Sequence, residues 1–203
     1  MKNHLLIFLF SLAFVFNSKA QVTTTSTLKP GDSGIDFNLK GVDGKMHSLA
    51  NMSENKGFII VFTCNHCPFS QAYEERIIAI HSKYSILGMP VIAINPNDAK
   101  RQPEDSYKNM IKRSKEHAYA FNYLVDPTQS IAKAYGATRT PHVFVLDSTL
   151  KVIYVGAIDD NFEEPKEVKE KYLEAALDAY LANIPISISQ TKAIGCGIKW
   201  KLD

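Results

Sequence analysis

The chain has 203 residues, 23 Lys plus Arg against 21 Asp plus Glu, and three cysteines. That length suits a single core, and a content of 45% hydrophobic and 22% charged residues excludes disordered, collagen-like and coiled-coil classes. Three cysteines are too few for a small disulfide-stapled scaffold, and a net charge of +2 leaves no electrostatic footprint for nucleic acid.

Met1 to Ala20 reads as a secretory signal peptide. Lys2 and His4 give a positive start, Leu5 to Phe16 is apolar apart from Ser11, and Asn17-Ser18-Lys19-Ala20 puts small residues at the positions a signal peptidase inspects before Gln21. Twelve residues at 1.5 Å rise span about 18 Å, short of a ~30 Å hydrocarbon core, so cleavage is expected over retention as an anchor. Cleavage removes Lys2 and Lys19 and no acid, leaving 21 basic against 21 acidic residues. The expected product is exported, periplasmic or secreted, and carries no membrane anchor. All three cysteines then face an oxidising compartment, where disulfides form and persist.

Residues 21–30 begin with a Thr/Ser run and read as a flexible leader. Phe37 to Leu39 and Met46 to Ser48 flank Gly41-Val42-Asp43-Gly44, a hairpin pattern. Phe58 to Phe62 is a continuous apolar run suited to a central strand covered on both faces. From Pro68 the period turns helical, with Phe69, Tyr73, Ile77, Ile80 and Tyr84 on one face and Gly88 as a stop. A second buried-type strand, Val91 to Ile94, precedes a helix from Pro103 carrying Tyr107, Met110 and Ile111. Then come a short strand at Tyr123 to Val125, a short helix at Ser130 to Tyr135, and strands His142 to Leu146 and Lys151 to Val155 joined by a tight turn. A last amphipathic helix is expected over Lys166 to Leu181. Such alternation implies an α/β fold with an antiparallel edge, one domain over 31–183 followed by a tail over 184–203. In that tail Ile184, Ile186 and Ile188 alternate with small residues, and the only Trp is Trp200, so it is expected to pack on the domain.

The sharpest motif is Cys64-Asn65-His66-Cys67, where the first long strand gives way to the first long helix. A helix N-terminus offers unpaired N–H groups and the positive end of the dipole, which favour a thiolate. A protonated His66 adds a second favourable charge. Two intervening residues let the second sulfur reach the first around one turn. Cys64, as the more exposed end, would attack a disulfide and Cys67 would resolve the mixed intermediate. A structural disulfide would close too small a loop to stabilise much. A metal site using His66 or His142 lacks the four ligands usual for structural zinc, so no metal and no cofactor are expected. His81 and His117 read as solvated or hydrogen-bonded. Lys108, Lys112, Arg113 and Lys115 beside Glu104, Asp105 and Glu116 read as a solvated helix face.

Thr140-Pro141 stands directly before the strand His142 to Leu146. With the C-x-x-C junction, it resembles the thioredoxin superfamily, in which a cis-proline before an antiparallel strand faces the C-x-x-C helix. The likeness spans Gly31 to Ala182 and is nearest the redoxin branch, which holds the alkyl hydroperoxide reductase/thiol-specific antioxidant family and exported thiol–disulfide oxidoreductases. Thr63 to Pro68 together with Gly195-Cys196-Gly197-Ile198-Lys199-Trp200 is similar to a peroxiredoxin-like group. The resemblance implies a thioredoxin-like fold, with a central mixed sheet, helices on both faces and an N-terminal hairpin extension. It also implies that Cys64 and Cys67 form the redox pair, supported by Asn65 and His66. Pro141 would be cis, and the Thr140 backbone would pair with substrate. Protein or small-thiol disulfides would be substrates, with a thiol protein as electron donor or acceptor.

The chain departs from family patterns in two places. A peroxiredoxin has Thr or Ser three residues before its reactive cysteine; here Cys64 precedes Cys67 and Val61 precedes Cys64. No hydroxyl is expected to position a peroxide, and thiol peroxidase becomes the alternative function, with a metal-binding module after it. The strand Phe58 to Phe62 also lacks a buried acid, leaving Asp98 as the proposed proton acceptor. Cys196 is either a buried free thiol, as free cysteines often are, or a third redox partner whose flanking glycines permit close approach.

Overall fold

The computed structural model describes residues 26–202, so the signal segment and the start of the leader lie outside the described residues. The sheet turns on β3 (Gly57–Phe62), every residue of which is buried. Alternate residues of a strand face opposite sides. Ile59 and Val61 therefore enter one core, and Phe58, Ile60 and Phe62 the other. Two buried faces explain why this run lacks polar alternation.

β3 pairs in parallel with β4 (Val91–Asn95) and antiparallel with β7 (His142–Asp147). The remaining strands are β1 (Leu39–Gly41), β2 (Met46–His47), β5 (Asn122–Val125) and β8 (Val152–Gly156), in the order β2-β1-β5-β4-β3-β7-β8. Parallel neighbours need long crossovers. These are α1 (Pro68–Tyr84) between β3 and β4, and α2 (Tyr107–Glu116) between β4 and β5. α1 lays Tyr73, Ile77, Ile80 and Tyr84 on the first core, together with Leu173, Ala176 and Leu177 of α4 (Tyr172–Leu181). α3 (Ser130–Tyr135) covers the opposite face with Ala132 and Tyr135. Gly88 ends the α1 segment at φ 85°, donating its N–H to the Ser85 carbonyl, a left-handed stop that costs glycine nothing.

Three expectations need correction. α4 begins at Tyr172, not Lys166. Residues 166–171 offer only Val168 to a core, so no amphipathic face can start there. The leader is docked from Thr27 onward: its Oγ1 donates to the Gly136 carbonyl at 2.8 Å and Leu28 N–H to the Tyr135 carbonyl at 3.1 Å. Leu28, the apolar exception in a polar run, packs on the second core. In the tail, Ile184 and Ile188 are 58% and 42% exposed, and only Ile186 docks. The tail is held further on, where β9 (Cys196–Gly197) pairs with β6 (Arg139–Thr140) and Ile198 enters the second core. Upstream, Thr191 lies against Gly156, where a Cβ would come within 2.1 Å of its hydroxyl. Among the described residues no helix is long and apolar enough to cross a membrane.

Candidate active site

Cys64 lies in the turn that leaves β3, and Cys67 is the N-cap of α1, its carbonyl accepting the Gln71 N–H at 2.9 Å. Pro68 follows at N1, where a missing N–H costs nothing. The helix N-terminus thus serves Cys67 most directly. The Thr140–Pro141 bond is cis and brings Thr140 over both sulfurs. Its hydroxyl stands 3.2 Å from Cys64 Sγ, and its carbonyl accepts from Cys67 Sγ at 3.1 Å. Ser70 Oγ lies 3.9 Å from Cys64. Hydroxyls do therefore stand beside a sulfur. They reach it from β6 and from the first turn of α1, not from the sequence position at which a peroxiredoxin carries one.

The acid at the site is Asp105, not Asp98. Asp98 caps its own loop, accepting the Lys100 N–H at 3.3 Å and donating its N–H to Lys199. Asp105 is 1% exposed and organises the whole turn. It accepts the N–H groups of Asn65 at 2.7 Å and His66 at 3.1 Å, the Asn97 amide at 2.7 Å, and His66 Nδ1 at 2.5 Å. Reading it as part of a solvated helix face was wrong, because Pro103 starts a separate short turn that points Asp105 inward, ahead of α2. Arg113 also leaves that face to pair with the buried Glu74, which holds His117 too. His81 accepts the Val91 N–H at 3.2 Å. His142 is buried beside Phe144 with Nδ1 unpartnered, and burial, then the Arg139 charge, lowers it to about 4.

Asn65 is fully engaged. Besides its N–H, its side chain donates to the Glu104 carbonyl at 2.8 Å and accepts from the Tyr123 hydroxyl at 2.9 Å. Tyr123, like Asp105, is a site residue that no local pattern reveals. His66 Nδ1 is 3.5 Å from Cys64 Sγ, yet that nitrogen is already committed to Asp105. One ring nitrogen holds one proton or one lone pair, so His66 does not bridge an acid to a sulfur as a catalytic triad would. The His66–Asp105 distance bears on metal binding by Cys64, His66 and Asp105, whose ligand atoms cluster here. Two N/O ligands on one tetrahedral zinc at ~2.0 Å stand about 3.3 Å apart. A separation of 2.5 Å is that of a hydrogen bond.

Neither motif sulfur faces solvent: Cys64 is 4% and Cys67 0% exposed. The expectation of an exposed Cys64 fails because Thr140, Ser70 and His66 close around its sulfur. Cys196 sits opposite Thr140 in the β6–β9 register, half-buried, against the residue whose carbonyl accepts from Cys67 Sγ. The Thr140 edge expected to receive substrate is thus occupied by the chain's own strand.

The three thiols influence one another's ionisation. The neighbouring Cys64 pushes Cys67 down to about 4, helped by Cys196 and the Ser70 backbone, while Cys67 in turn pushes Cys64 up. The Thr140 carbonyl against Cys67 suits an S–H there, and hydroxyls ring Cys64. We therefore assign one low ionisation to the Cys64–Cys67 pair, its charge shared between the two neighbouring sulfurs, and one high one. Burial, then the Cys67 hydrogen bond and charge, raises Cys196 to about 11.

A parallel-centred sheet with helices on both faces, a C-x-x-C at the first strand-to-helix junction and a cis-proline opposite define a thioredoxin-like fold. The AhpC/TSA family matches residues 30–155, and the chain belongs to that family, whose members are redoxin-type oxidoreductases. An uncharacterized conserved protein from Geobacillus kaustophilus superposes with a TM-score of 0.80 at 39% identity, over 86% of this chain and 93% of that one. The thiol-disulfide oxidoreductase ResA of Bacillus thuringiensis subsp. konkukian is 24% identical over 75% of this chain and 81% of its own. Peroxidoxin BcpB of Mycobacterium tuberculosis shares the fold, with a TM-score of 0.58 at 17% identity over 76% of this chain and 95% of its own.

Proposed function

We propose that the protein is a thiol–disulfide oxidoreductase in which Cys64 and Cys67 cycle between dithiol and disulfide. The observation that carries this reading is the Cys64–Cys67 pair under the cis Thr140–Pro141 bond, both sulfurs within 3.2 Å of a Thr140 oxygen, with one thiol held low. A low thiol pKa makes both a ready thiolate and a good leaving group. Substrates are disulfides of proteins or small thiols, and a thiol protein supplies or removes electrons. The site is exported, a reading supported by the Met1 to Ala20 pattern. Likeness to ResA supports the same chemistry. Insulin-disulfide reduction with a dithiol donor tests it: turnover is expected, and turnover that Cys64→Ser leaves unchanged, or none at all, overturns it.

One observation favours a second reading, thiol peroxidase. The Thr140 hydroxyl at 3.2 Å from Cys64 could hold a peroxide oxygen. Consumption of hydroperoxide with a thiol donor, lost on Thr140→Val, would select that reading.

A further inference from the structure

We infer that Cys196 is the sulfur through which the buried Cys64–Cys67 pair exchanges with thiols and disulfides outside the protein, by way of a Cys67–Cys196 disulfide. The inference rests on the redox pair proposed above and adds its route to solvent.

Three observations carry it. First, both motif sulfurs are buried, and the cavity beside Cys64, lined by Ser70, Tyr119 and Tyr123 among others, holds only about 10 Å³, room for no more than one water. An external disulfide has no approach to Cys64 from that side. Second, Cys196 is partly exposed and pairs in register with Thr140, whose carbonyl accepts from Cys67 Sγ at 3.1 Å, so Cys67 stands between one inner and one outer sulfur. Third, the outer sulfur is held in place. Gly195 approaches Thr140 so closely that a Cβ would lie 2.3 Å from its carbonyl oxygen. Beyond Cys196, Ile198 N–H donates to the Thr138 carbonyl at 3.3 Å, Lys199 N–H to Asn97 Oδ1 at 2.8 Å, and Gln129 Nε2 to the Lys199 carbonyl at 2.9 Å. A strap anchored on both sides of its cysteine, with glycine on each flank, fixes that cysteine against Thr140, the residue that holds Cys67 Sγ.

The steps balance. In the oxidised protein the Cys196 thiolate attacks Cys67 Sγ. The Cys64–Cys67 bond breaks, a Cys67–Cys196 bond forms, and Cys64 leaves and takes the proton. An external thiol then attacks the accessible Cys196 sulfur and expels Cys67, which leaves into the Cys64–Cys67 pair with its one low ionisation. A second external thiol attacks the outer sulfur of that mixed disulfide and frees Cys196. Two external thiols become one disulfide, and the protein gains two electrons and two protons. Reduction of an external disulfide runs the same steps backwards.

The test is the rate at which dithiothreitol reduces the Cys64–Cys67 disulfide in oxidised wild type and Cys196→Ser, followed by quenched alkylation and mass spectrometry. Reduction at least tenfold slower in the variant is expected. Equal or faster reduction overturns the role of Cys196 while leaving the Cys64–Cys67 pair intact. A wild type that forms no Cys64–Cys67 bridge under oxidant overturns both. Should Cys196→Ser fail to fold, oxidised Cys64→Ser decides: a Cys67–Cys196 cross-linked peptide is expected, and full alkylation of both thiols overturns the inference.

Discussion

Replacing Asp105 with alanine removes the acceptor of four hydrogen bonds at once. Two of the donors, the Asn65 N–H and the Asn97 amide, belong to residues only 6% exposed. Orphaning a buried donor costs ~1–3 kcal/mol, so these two together cost about 2–6 kcal/mol. The His66 ring, 16% exposed in its side chain, turns to water and adds little. Against a total stability of ~5–15 kcal/mol this is a large fraction. With a urea slope of ~1–3 kcal/mol/M the unfolding midpoint should fall by about 2 M. Asp105→Asn keeps one carbonyl oxygen for the Asn65 and His66 N–H groups but turns an amide toward Asn97, so about half the loss is expected. A midpoint for Asp105→Ala within ~0.3 M of wild type would refute the claim that this carboxylate organises the turn.

Other consequences follow from single groups. His142 is lowered from 6.5 to about 4, so between those pH values the unfolded chain binds a proton that the folded one refuses. Stability should therefore fall as pH drops from 6.5 to 4, by about 3 kcal/mol; His142→Phe should remove that part of the acid sensitivity, measured by urea unfolding at pH 7 and pH 4.5. Tyr123→Phe leaves Asn65 Oδ1 without its 2.9 Å partner and should cost about 1–2 kcal/mol in the same assay; no change would mean another donor takes its place. Gly195→Ala puts a Cβ onto the Thr140 carbonyl and should lift β9. Hydrogen exchange at the Ile198 amide should then rise with the rate of Cys196 alkylation, and unchanged protection would contradict the contact.

Strand and helix order were legible because burial writes itself into periodicity: Phe58 to Phe62 has no polar gap, and α1 repeats every three or four residues. The motif cysteines were legible for the same local reason, as they mark the point where one period gives way to the other. Pro141 required a family resemblance, since a cis bond has no local signature. Asp105 and Tyr123 were not legible. They lie far from the motif in sequence, and only the packing of β4, β5 and the Pro103 turn around β3 brings them to Asn65 and His66. The tail misled in part because its alternating isoleucines suggested a buried face, whereas its anchors are backbone groups of the tail bonded to the Thr138 and Thr140 backbone and to the Asn97 side chain, which no apolar pattern announces.

The central claim is that Cys64 and Cys67 are one redox couple. Equilibrating the protein across a series of dithiothreitol redox buffers and counting alkylated thiols tests it most directly. The account predicts that Cys64 and Cys67 are lost together in one two-electron transition, tenfold per 29.6 mV, and that Cys64→Ser abolishes the Cys64–Cys67 bridge. Two sulfurs that stay alkylatable at every potential, or that oxidise independently of each other, would contradict it.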